Sequence, residues 1–117
     1  ESRAMLDRAL PGFTRLGGHA AIGDCHVALC ACDATERRWA SFDRHLATAE
    51  LILQELNMAD EDTARVAETA AKRTLAAGDK ERAARLYTIA LNQWTNLKRL
   101  TEAGAVRGAL ATLGVQS

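Results

Sequence analysis

Aromatic residues make up only 4% of this chain, and there is a single proline. Pleated sheets favour aromatic and β-branched side chains, so the first scarcity argues against a strand-built core. The second leaves long stretches free of the residue that breaks helices. Charge of one sign is missing too: fifteen basic and fifteen acidic side chains cancel, and they are mixed along the chain. Such a composition carries no footprint of a surface for nucleic acid or acidic membrane, and neither is expected as a partner. No apolar run approaches the roughly 20 residues needed to cross a bilayer. Neither a signal-peptide pattern nor an initiator methionine opens the chain at Glu1, so a piece of a longer chain is expected. The three cysteines, an odd number between positions 25 and 32, make no disulfide framework, because their pairs would close tiny loops inside a helical pattern. A reducing cytoplasm is the expected setting.

What the chain does have is alanine. With 48% apolar residues, many of them this small, a core must come from slim elements approaching closely, which predicts an all-α fold. A chain of 117 residues buries roughly 65% of its unfolded surface, enough for one domain spanning 1–117.

The stretch GDKERAARLYTIALNQW, residues 78–94, reads as a turn and a helix. Gly78 suits the left-handed conformation that ends a helix, and Asp79 suits the cap of the next. Ala83, Tyr87, Ala90, Trp94 and Leu97 then recur at helical spacing on one face, with Glu81 and Arg85 on the wet side. About forty residues earlier, a period typical of stacked helix pairs, Phe42, Leu46, Ala49, Leu53 and Leu56 repeat the spacing, and Leu6, Ala9, Phe13 and Leu16 repeat it again. The middle residue is alanine each time: Ala9, Ala49, Ala90. An internal repeat is the preferred reading over an unrelated helical bundle. Gly17 and Gly18 mark a stop before a helix at 19–34, and Asp60 or Asp62 caps another from 61. Helices are predicted over about 3–16, 19–34, 36–57, 61–77, 80–98 and 101–113, the first kinked or delayed by Pro11.

The residues Gly78, Asp79, Ala83, Tyr87, Ala90 and Leu91 resemble the second half of a tetratricopeptide repeat: its Gly-Asp turn, the small residue where the helices cross, its inter-repeat aromatic and its closing Ala-Leu pair. Ala71 matches the small residue of the family's first helix. Ala67 and Thr74 replace its larger residues, Trp94 and Thr95 stand where it has its usual proline, and the period is longer than standard. Long, degenerate repeats of this kind are similar to those in C-terminal regions of bacterial signalling proteins, such as serine/threonine kinases and ATP-dependent transcriptional regulators. The resemblance implies antiparallel helix-turn-helix pairs stacked as a short right-handed α-solenoid of about six helices. It also implies a cytoplasmic module for protein–protein contact whose first helix lines a groove, with Arg65, Glu68 and Lys72 as groove residues. A solvated face is the preferred reading of those three, since Glu68 and Lys72 can pair one turn apart.

Candidate chemistry is weak elsewhere. His19, Cys25, His26, Cys30 and Cys32 include zinc-ligand types, and His26 and Cys30 share a helical face, but Cys25 and Cys32 fall on another stripe. Packing of an alanine–cysteine helix is the preferred reading. Asp43 and His45, two positions apart on a helix, point to different sides and form no base-orienter pair. Ser41 has no G-x-S-x-G setting, and the acidic residues 60–62 are explained by capping rather than cation binding. Trp94, and with it Trp39, belongs to the apolar stripe. Neither an enzyme nor a bound cofactor or metal is expected. The expected function is a non-catalytic module that binds a protein, a peptide or other domains of its parent chain. A self-associating helical module, such as a homodimer, is the first alternative, and a metal- or ligand-sensing bundle the second.

Overall fold

The computed structural model describes residues 19–56 and 60–114. Five helices make up the described chain, with no strand among them: α1 (His19–Glu36), α2 (Trp39–Leu56), α3 (Glu61–Ala76), α4 (Lys80–Asn96) and α5 (Leu100–Thr112). The helix expected over 3–16, with Leu6, Ala9, Phe13, Leu16 and Pro11, lies outside the described residues. The all-α expectation holds for the part described.

The repeated face identified in the sequence is the buried face of α2 and α4. Phe42, Leu46 and Ala49 on α2, and Ala83, Tyr87, Ala90 and Trp94 on α4, are buried, and Leu53 and Leu97 pack partly buried against the same core. The facing helices are alanine-rich. Ala64, Ala67, Ala70 and Ala71 of α3 are fully buried; small residues there let neighbouring backbones come close. On α1, a Cβ added at Gly23 would meet Leu53 of α2 at 3.0 Å, so this glycine sets a close approach.

Neighbours in the chain pack on one another in α1–α2, α3–α4 and α4–α5, and α1 also packs on α3. The turn closing α1 and the turn closing α3 share one geometry. Gly78, at φ +95, donates to the Leu75 carbonyl (2.9 Å) and Asp79 to that of Thr74 (3.2 Å). Arg37, at φ +58, donates to Ala34 (3.2 Å) and Arg38 to Asp33 (2.8 Å). Both are Schellman closures, which satisfy the last carbonyls of a helix through a left-handed residue. The arginine version explains why α2 begins at Trp39 rather than near 36: the backbone must first reverse at Arg37, where no glycine announces it.

Asp79 accepts from the Arg82 amide at 2.9 Å, as expected for its cap, and Asp60 is the acid that caps α3, accepting from Asp62 at 2.7 Å. A longer-range tie was not visible in the sequence: the buried Gln93 side chain of α4 accepts from the Asp60 amide at 2.8 Å. It fixes the start of α3 from the far end of α4.

Candidate functional site

Because the start of α3 is held by its cap and by Gln93, its outward side is set relative to α1. Arg65, Thr69 and Arg73 follow one another a turn apart along that side, with Val66 beside them. Across from them α1 presents Ala28, Ala31 and Cys32. These seven residues line a cleft of about 280 Å³. Its α1 wall is small and mostly apolar, and its α3 wall carries two guanidinium groups and a hydroxyl.

The two arginines differ in how they are held. Arg65 donates to Glu61 through Nε (2.9 Å) and Nη2 (2.6 Å), and its guanidinium lies 5.6 Å from the centroid of the Trp94 ring. Arg99 also donates to Glu61 at 3.2 Å and lies 5.3 Å from the same ring. Hydrogen bonds and charge from Arg65, with help from Arg99, lower the Glu61 pKa, so the carboxylate that anchors them stays ionised. Arg73, in the last turn of α3, has no ion pair among the described residues.

Of the three groove residues expected, the structure places Arg65 in this cleft. Glu68 instead accepts from Trp94 Nε1 at 2.6 Å, and the exposed Lys72 is outside the lining. Glu68 and Lys72 form no ion pair with one another, because the indole has claimed the carboxylate. Thr69 and Arg73 join Arg65 in the cleft, at the i+4 and i+8 spacing that puts all three on one side of the helix.

The histidine–cysteine segment has a different organisation. His26 on α1 and His45 on α2 meet Nδ1 to Nδ1 at 2.9 Å. Their ring centroids are 5.1 Å apart, so the two nitrogens face one another head-on, as in an N–H···N hydrogen bond. Cys30 is buried, donating to the Phe42 carbonyl at 3.6 Å. Burial pushes its pKa up to about 12, so the thiol stays protonated at neutral pH. Cys25 is buried with its pKa likewise raised by burial. Among the described residues, no three His, Cys, Asp or Glu side chains are grouped so as to hold a metal ion. No helix among them is long and apolar enough to cross a membrane.

Asp43 and His45 do diverge. His45 turns to α1, and Asp43 takes both Nε and Nη2 of Arg82 at 2.8 Å. No protein family, curated protein or solved structure matches the chain.

Proposed function

We propose that the chain is a non-catalytic scaffold that holds a segment of another protein, or of another part of its parent chain, in the cleft between α1 and α3. The observation that carries this reading is the cleft itself: a concave, mixed apolar and cationic surface bounded by two helices whose backbones are fixed from behind. A preformed surface of this kind spares its ligand part of the ordering cost of binding. The packing of α1 on α2 and of α3 on α4, with α1 also packed on α3, supports reading the two pairs as units of a tetratricopeptide-like, right-handed solenoid. Protonated, buried thiols at Cys25 and Cys30 fit a reducing cytoplasm, and the resemblance to regulatory regions of bacterial signalling proteins points to the same setting.

Selection of a random peptide library on the immobilised protein tests the scaffold reading, with Thr69→Trp filling the cleft from its exposed side as the control. Clones that bind the parent and are lost on Thr69→Trp support it. A library that yields no clone sensitive to the filled cleft sinks it.

One observation favours a second reading, self-association through α5. Leu100 is 73% exposed at its start, and Gly104 and Gly108 further along have open space above them. Light scattering over a wide concentration range separates the two: constant monomer mass removes the second reading, and mass that rises and then falls back on Leu100→Lys establishes it.

A further inference from the structure

We propose, resting on the scaffold reading above, that the occupant of the α1/α3 cleft is an acidic, extended peptide segment of a partner protein. Its apolar side chains lie on Ala28, Ala31 and Val66, and its carboxylates reach Arg65 and Arg73. Three features of the cleft lead to this chemistry.

The first is size. A volume of about 280 Å³ sits at the low end of ligand pockets, roughly 300 to 1,000 Å³. It holds one or two side chains of a bound segment.

The second is charge. The chain as a whole is neutral, yet the described residues lining the cleft include two arginines and no carboxylate. Of the acids one turn from the lining, Glu61 pairs with Arg65 and Arg99, Asp24 accepts from Thr63, and Glu36 pairs with Arg38. A basic segment would meet only like charge there, which costs affinity and slows encounter.

The third is preparation. Arg65 is held against Trp94 and by Glu61 with two of its five donors. Its side chain is 59% exposed, so the remaining donors can be reached by a ligand at little further entropic cost. Arg73 has no described ion pair to give up, so a carboxylate arriving there breaks none. An anchored cation and an unengaged one, eight residues and so about 12 Å apart along one helix face, match acidic residues four positions apart, about 13 Å, along an extended chain. Nucleic acid fits less well, because the lining offers no aromatic ring on which a base could stack.

Fluorescence anisotropy with three labelled peptides tests this: alternating Asp and Leu, alternating Ser and Leu, and alternating Lys and Leu. The Asp/Leu peptide is expected to bind, to weaken as salt is raised, and to lose about five- to tenfold in affinity on Arg73→Glu. The same substitution should improve binding of the Lys/Leu peptide. Arg107→Glu, on the exposed side of α5, should change neither, and circular dichroism should show every variant folded. If the Ser/Leu peptide binds as tightly as the Asp/Leu peptide and both are displaced by Thr69→Trp, the acidic specificity is overturned while the scaffold reading stands. The same holds if library clones that depend on the cleft prove neutral or basic. Failure of all three peptides, or tighter binding of a single-stranded RNA oligonucleotide, overturns the inference; if the library selection also returns nothing, the scaffold reading falls with it.

Discussion

His26 and His45 share one N–H···N bond between α1 and α2, and that bond fixes the charge state both rings prefer. One Nδ1 must carry the proton and the other must offer its lone pair. Burial first, and the charge of His45 second, lower the His26 pKa from its ordinary 6.5. The folded protein thus binds fewer protons at this site than the unfolded chain. The stability contributed by the neutral pair is present above the unfolded value and is lost as pH falls through and below about 6.5. One turn beyond His26 on α1 lies the Cys30 thiol, which feels the charges of Arg85, Asp43 and Glu50, members of the ion pairs Asp43–Arg82 and Glu50–Arg85 between α2 and α4. The Asp43 pKa is lowered by its hydrogen bonds to Arg82, so that contact persists until far more acid conditions. We expect the urea midpoint to drop between about pH 7.5 and 5.5, and His26→Gln to shrink that drop. An equal slope in the variant would assign the loss to other groups. Arg82 is a second junction at this scale. It pairs with Asp43 and Asp79 and lies 5.0 Å from the Trp39 ring centroid. A double-mutant cycle of Arg82→Ala with Asp43→Ala should return a coupling of about 0.5 to 1 kcal/mol, the upper range for partly exposed pairs. None of these partners could be read from the sequence, because each depends on how two distant helices are placed side by side. Asp79 could, because its cap partner is three residues away.

At the scale of elements, the left-handed turn residues decide where helices end. Gly78 occupies φ +95 at no steric cost, whereas Lys98 is held at φ +61 with a Cβ that disfavours it. Gly78→Ala should therefore destabilise the protein by about 1 kcal/mol, and Lys98→Gly should stabilise it by roughly 0.5 kcal/mol in chemical denaturation. A stabilising Gly78→Ala would show that the turn tolerates another backbone. The same residues explain which boundaries were legible. Periodicity and the Gly-Asp signal gave the extents of α3 and α4 and the buried faces of α2 and α4. The turn after α1 was blurred because Arg37 does glycine's work there, and the guanidinium compensates by donating to the Ala77 carbonyl at 2.9 Å. The cleft was half legible for a related reason. A helix face can be read from spacing, so Arg65 was found, but which face meets α1 depends on how the two helices pack. The indole of Trp94 drew Glu68 away from the position the family resemblance implied.

Taken whole, the buried side chains of all five helices form one continuous cluster, from Val27 on α1 to Leu110 on α5. A continuous core unfolds as one cooperative unit. Trp39 and Trp94 stand in different helix pairs and report on each separately. Single-tryptophan variants, Trp39→Phe and Trp94→Phe, should give fluorescence midpoints that each coincide with their own circular dichroism midpoints. Separate transitions would mean that the pairs unfold independently, as in a loosely coupled repeat array. The bond from the Asp60 amide to Gln93 bears on the order in which this unit assembles. The first turn of α3 is completed by a side chain 33 residues further along, within the same helix pair. Each helix pair closes a shorter loop than the docking of one pair on the other: His26 and His45 are 19 residues apart, Asp60 and Gln93 33, and Asp24 and Thr63, across α1 and α3, 39. The cleft, with one wall from each helix pair, exists only while α1 stays docked on α3, so a segment bound there would hold the two pairs together.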